Sequence, residues 1–126
     1  MLLFQEKTEL IIDCFYKVYN EPGYGFLEKV YENALAVERS NQGLQCKQQS
    51  AVKVFYKGTE VGIYYADIIV DDLVIIELKA GKNGIAVQHE MQLLNYLKAT
   101  RLEVGLIFNF GESLSIKRRI LTNDMK

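Results

Sequence analysis

Leu10, Ile11, Cys14, Phe15 and Val18 recur at helical spacing, which predicts an amphipathic helix over about residues 3 to 19. Asn20, Glu21, Pro22 and Gly23 end it. A second helix is predicted from near Gly25 to about Asn41, with Leu27, Val30, Ala34 and Leu35 inward and Gly43 as its stop. The period then shortens. Ala51 to Tyr56 reads as a strand, Lys57, Gly58 and Thr59 as a turn, and Tyr64 to Lys79 as two apolar strands folded back at Asp71 and Asp72. After a break from Gly81 to Gly84, helical spacing returns from Ile85 to Thr100 with Ala86, Val87, Leu93, Leu94 and Leu97 apolar. Val104 to Phe110 is a strand, and Gly111, Glu112 and Ser113 turn the chain into a last one from about Leu114 to Leu121. From the second helix on, the order is α-β-β-β-α-β with one extra strand. That is an α/β (α+β) fold with a mixed sheet packed between helices, expected to form a single domain over residues 1–126.

Three charges interrupt the two central strands: Asp67, Glu77 and Lys79. Their neighbours are almost all Ile, Val and Leu, and burying charged groups in such company costs several kcal/mol unless they pair or bind a metal. Residues two apart on a strand share a face, so Glu77 and Lys79 project together. A two-residue loop would set Asp67 opposite Ile76. A turn closed over Asp71, Asp72 and Leu73, with Val70 and Leu73 out of direct pairing, sets it across from Glu77 on the same face. Two carboxylates on neighbouring strands form a hard anionic cluster suited to Mg²⁺ or Mn²⁺, with a lysine one pleat away to orient a nucleophilic water. The alternative is an Asp–Lys or Glu–Lys pair on a solvated sheet face.

Both helices beside the sheet offer partners. Gly25, Glu28 and Tyr31 recur every three residues, so on a helix they form one stripe, from which Glu28 adds a third carboxylate or holds a water. Glu28 is otherwise a first-turn acid complementing the helix dipole. His89, Gln92 and Tyr96 form a second stripe, whose amide and hydroxyl suit hydrogen bonds to the lysine, a carboxylate or a phosphate. Gln92 and Tyr96 also fit an ordinary polar helix face. His89 is the only histidine, so zinc chemistry of the histidine type has no second ligand, and a phosphate contact or a bond to an acidic neighbour is the better reading.

Overall charge narrows the partners little. Fifteen basic and sixteen acidic side chains leave a formal charge of −1, so no global field attracts a polyanion. The one dense basic run, Lys117-Arg118-Arg119, reads more readily as a solvated edge than as a phosphate track. Cys14 and Cys46 are far apart with no CxxC, which indicates neither a zinc site nor a disulfide framework and fits a reducing cytoplasm. Met1 to Phe4 is followed at once by Gln5, Glu6 and Lys7, too short and charged for a signal or membrane segment, so a soluble cytoplasmic protein is expected.

Four segments together resemble the GxxExxY proteins, a branch of the PD-(D/E)XK nuclease-like superfamily with the restriction-endonuclease-like fold. Gly25-Phe26-Leu27-Glu28-Lys29-Val30-Tyr31 fits the naming motif, Ala66-Asp67-Ile68-Ile69-Val70 the metal-aspartate strand, and Ile76-Glu77-Leu78-Lys79-Ala80 the E-x-K strand. His89 to Leu97 looks like the family's third-helix segment, and its Gln92-x-x-x-Tyr96 core is similar to that of RecB-type nucleases. Each motif alone is weak; their order on the expected elements is what makes the likeness specific. The chain departs from the pattern at Tyr65, two residues before Asp67, where the family often carries an arginine.

The resemblance implies an αβββαβ core and Mg²⁺- or Mn²⁺-dependent hydrolysis of nucleic-acid phosphodiesters, DNA in the first place. It further implies Asp67, Glu77 and the Leu78 backbone carbonyl as metal ligands, Glu28 as an accessory ligand and Lys79 as the residue that positions the attacking water. Gln92, Tyr96, His89 and Tyr31 are implied as substrate-binding or accessory residues. A catalytically silent binding module of the same fold, and a homodimer or subunit of a larger DNA-processing complex, stay open alternatives.

Overall fold

A computed structural model of the chain describes residues 4–112 and 114–126. Residue 3 of the predicted first helix and Ser113 of the predicted last turn lie outside them. Helix α1 (Gln5–Asn20) buries Ile11, Cys14, Phe15 and Val18 of the predicted stripe along one side, with Thr8 in place of Leu10, which is exposed. Helix α2 (Glu28–Asn41) starts three residues later than expected, and its buried side is Tyr31, Glu32, Leu35 and Arg39. Leu27 and Val30 are therefore not inward; Leu27 is 80% exposed, just before the helix.

Five strands follow in one sheet, ordered as in the chain: β1 (Cys46–Tyr56), β2 (Thr59–Val70), β3 (Val74–Lys79), β4 (Val104–Phe110) and β5 (Leu114–Ile120). β1 starts five residues before the predicted Ala51, because Cys46, Lys47 and Gln48 pair with the end of β2. Helix α3 (Val87–Ala99) crosses over between β3 and β4, which makes that pair the sheet's parallel one; the others are antiparallel. α1 and α2 cover one face, packing Phe15, Tyr31 and Leu35 on Ile68, Ile76, Phe108 and Phe110. α3 covers part of the other, packing Leu93, Tyr96 and Leu97 on Ile69, Ile75 and Ile107. This is the α/β architecture of a restriction-endonuclease-like core. Among the described residues no helix is long and apolar enough to cross a membrane.

Val70 pairs with Val74 rather than standing free, so the turn closes over Asp71, Asp72 and Leu73. The register is nonetheless the expected one, with Ile68 opposite Ile76. Asp71 and Asp72 both adopt left-handed geometry, with φ of 51° and 53°. Such geometry is tolerated better by aspartate than by most residues. Asp71 is also tied down: it pairs with Lys7 and accepts a hydrogen bond from the Gln45 N–H, and the Lys7 bond holds its carboxyl below the usual range.

The basic run on β5 is used within the fold. Arg119 pairs with Glu90 of α3, while Arg118 donates to the Thr8 hydroxyl of α1, 3.3 Å away. The two arginines thus clip the edge strand to helices on opposite faces.

The approach of α3 to β4 depends on Gly105. A Cβ there would lie 2.5 Å from Leu93 Cδ1 and 2.9 Å from its Cγ, so turning the isopropyl end of the buried Leu93 about its Cβ–Cγ bond does not relieve the clash. Gly105→Ala is expected to lower stability by about 1–3 kcal/mol in urea unfolding. Shortening the neighbour in the double variant with Leu93→Ala should remove that increment.

Candidate active site

Asp67 sits where the sheet gives way. It is absent from both ladders of β2: pairing with β1 skips from Ile68 to Ala66, and pairing with β3 ends at Ile68 and Ile76. The alternation also reverses there. Ala66 belongs to the cluster under α3, as does Ile69, whereas Ile68 and Val70 belong to the cluster under α1 and α2. Opposite it on β1, Gln49 has a φ of 52°, so both strands leave regular geometry at this one rung while the register is the same on either side.

Side chains replace the missing backbone bonds. Asp67 Oδ2 accepts from the Leu78 N–H at 2.8 Å, and the Asp67 N–H points to Glu77 Oε1 at 3.4 Å. Gln49 Nε2 donates to Asp67 Oδ1 at 3.4 Å and to Glu32 Oε1 at 2.8 Å. Glu32 is only 3% exposed and also accepts from Gln48 at 2.7 Å and from Lys29 at 3.0 Å. The Asp67 carboxylate is thereby held at both oxygens, one by backbone and one by a chain running back to α2.

Glu77 lies beside it, 5% exposed and next to Ile75 and Ile107. Burial, and then the neighbouring Asp67 charge, push its carboxyl up to about 9. Two carboxylates in this setting do not both ionise near neutral pH without a cation between them. Two hard oxygen donors that repel each other fit a divalent cation of the Mg²⁺ or Mn²⁺ class, whose remaining positions water and substrate oxygens fill. Among the described residues no group of three or more His, Cys, Asp or Glu side chains is placed to hold a metal. Glu28 therefore does not join Asp67 and Glu77 as a third acid.

Glu28 is found instead in an adjoining cleft of about 270 Å³, walled by Glu28, Lys79, Ala80, Gly81, Gly84, His89 and Asn109. As the first residue of α2 it also complements that helix's dipole, the second of its two expected roles. Lys79 reaches the cleft from the end of β3. His89 Nδ1 accepts from the Ala86 N–H at 3.1 Å, which leaves the imidazole proton on Nε2. Burial, then the Lys79 charge, lower its pKa, so the ring is neutral at pH 7.

Tyr96 is 4% exposed and packs its ring 5.6 Å from that of Tyr64. Burial, then the Glu77 and Asp67 charges, push its hydroxyl up to about 12, so it remains a donor. Gln92 is half-buried on α3, between His89 and Tyr96.

Tyr31 is elsewhere. Its ring stacks on Phe110 at 4.0 Å, and its hydroxyl donates to the Gly23 carbonyl at 2.6 Å and accepts from the Phe26 N–H at 3.3 Å. It braces the loop before α2 and does not line the cleft. Gly25, with a φ of 108°, lies in that loop, so the helical stripe expected of Gly25, Glu28 and Tyr31 is not formed.

Sequence reasoning passed over Asn109, Glu32 and Gln49. Asn109, 1% exposed and opposite Lys79, exchanges two hydrogen bonds with the Gly81 backbone at 2.9 and 3.1 Å and so fixes the chain leaving β3. Its signal was an amide within the apolar run Leu106-Ile107-Phe108-Asn109-Phe110.

None of the curated proteins matches the chain. The profile of the PD-(D/E)XK nuclease superfamily matches residues 5–120, a span that includes the acidic pair, the lysine and every helix and strand just described. The chain belongs to the PD-(D/E)XK nuclease superfamily.

Proposed function

We propose that the protein is a divalent-metal-dependent nuclease of the GxxExxY branch that hydrolyses nucleic-acid phosphodiester bonds. The observation that carries this reading is the Asp67 and Glu77 pair, held at a break in the sheet with Lys79 in the cleft beside it. Asp67 and Glu77 would hold Mg²⁺ or Mn²⁺, with the Leu78 carbonyl as a further ligand, while Glu28 in the adjoining cleft would hold a water. Bound there, the ion supplies Lewis-acid polarisation of the phosphoryl group and neutralises the charge that builds on it.

The side chains do the rest. Lys79 aligns the attacking water and contacts the phosphate it attacks. His89, neutral and protonated on Nε2, donates to a phosphate oxygen across the cleft. Tyr96 and Gln92 orient Lys79 and the substrate as uncharged hydrogen-bonding groups. A thiol at Cys14 and another at Cys46, both free, support a reducing, cytoplasmic setting.

The test is a calorimetric Mn²⁺ titration of the wild type beside Asp67→Ala, followed by cleavage assays on single-stranded and duplex DNA and RNA. Binding should be present in the wild type and lost in the variant, and cleavage should stop on chelation. Absence of both binding and hydrolysis would overturn the proposal and leave a catalytically silent module.

A further inference from the structure

We propose that the groove between the β1–β2 hairpin and α3 binds an unpaired nucleotide, which makes single-stranded nucleic acid the substrate class. This rests on the nuclease reading above and says which strand form reaches the carboxylates.

The groove measures about 470 Å³ and is lined by Lys53, Val54, Phe55, Tyr64, Asn95, Lys98 and Ala99. Two aromatic rings, the Lys98 ammonium, an amide and Lys53, whose ammonium lies 3.7 Å from Glu60, match a base and its phosphate. The rings are available: Phe55 is 59% exposed and Tyr64 49%. Exposed aromatics beside lysines are the recurring means of holding unpaired bases, because every base has a face to stack and every linkage a charge to meet.

Continuity with the acidic pair gives the groove its meaning. Tyr64 forms part of its wall, stands three residues before Asp67 on β2 and packs its ring 5.6 Å from that of Tyr96. A strand whose base rests against Phe55 and Tyr64 therefore leads its backbone toward the carboxylates.

Charge favours a single strand over a duplex. A duplex binder contacts two phosphate tracks and needs a broad basic surface. Here the formal charge is −1, and the one basic run commits Arg119 to Glu90 and Arg118 to Thr8. Lys98, by contrast, is exposed on the groove wall and makes no ion pair among the described residues.

The experiment is fluorescence anisotropy with labelled oligothymidylate, oligouridylate and a mixed-sequence duplex of equal length, in EDTA so that nothing is cleaved. The probes are presented to the wild type, Phe55→Ala and Lys98→Ala. Either single strand should bind more tightly than the duplex, and the two single-strand arms tell DNA from RNA. Phe55→Ala should weaken single-strand binding about tenfold, as expected for a lost stacking partner. Lys98→Ala should make the slope of log K against log salt shallower by about 0.7.

Duplex binding as tight as single-strand binding would overturn the proposal, as would Phe55→Ala and Lys98→Ala behaving like the wild type, or no binding of either strand. So would sedimentation showing that Phe55→Ala dissolves a dimer, since the groove would then belong to a second copy of the chain. Mn²⁺ titration of Phe55→Ala reads the metal centre independently. Normal metal binding with no strand preference would sink the groove and spare the nuclease, whereas loss of Mn²⁺ binding and cleavage in the wild type would sink the nuclease reading.

Discussion

Glu77→Gln is expected to abolish cleavage and, in the metal-free protein, to raise stability at neutral pH. The folded state holds the Glu77 proton up to about pH 9, whereas the unfolded chain releases it near the ordinary 4.5. Between those values the native protein binds more protons than the unfolded one, so wild-type stability falls as pH rises, by up to about 1.4 kcal/mol per pH unit. Below the unfolded value the slope vanishes, and above the folded one it levels off. Glutamine has no proton to lose and still offers an N–H to Asp67, so the variant lacks this slope, and its advantage grows from pH 5 to pH 9. Urea unfolding in EDTA at three or four pH values measures it. Added Mn²⁺ should invert the order, raising the wild-type melting temperature and leaving Glu77→Gln unchanged, because a cation binding only the native wild type stabilises it by mass action. Equal pH slopes in the two proteins would show that Glu77 is ionised without metal.

Lys79→Ala should have the complementary phenotype. Mn²⁺ affinity stays within a fewfold of the wild type, since neither carboxylate is touched. The single-turnover cleavage rate falls by roughly 10²–10⁴-fold, the range for losing a group that aligns or deprotonates a nucleophile and stabilises charge on the phosphate. The side chain ends in the cleft rather than the core, so the fold survives the change. An unchanged rate would remove Lys79 from the chemistry and hand its place to His89, whose Nε2–H is on that wall, since the Asn109 amide is taken by the Gly81 carbonyl.

Which parts of this were legible beforehand follows from what each element depends on. The strands and the turn could be read because runs of Ile and Val need burial and paired aspartates tolerate left-handed backbone; together they fix Ile68 opposite Ile76. Helix α2 was misplaced at its start because Leu27 and Val30 share a helical spacing with Leu35. Apolar spacing does not tell a wetted loop residue from a core one, and here Tyr31 and Glu32 take the inner side. Glu32 was hidden for a related reason. A glutamate on a helix is expected in water, and only the long-range arrival of Gln48 and Gln49 makes its burial tolerable. Asn109 was hidden because its partner, the Gly81 backbone, is a contact that no periodicity encodes.

Asp67 takes part in neither ladder, so its strand is joined to its neighbours there by side-chain tips instead of rigid peptide rungs. Tips have rotamers and rungs do not. The gap between the carboxylates can therefore widen or narrow by rotation alone, without disturbing the Ile and Val packing on either flank. Under the metal-dependent reading proposed above, a site built this way would accommodate cations of unequal radius, its preference among them set by the elasticity of one seam rather than by the shape of a preformed cage.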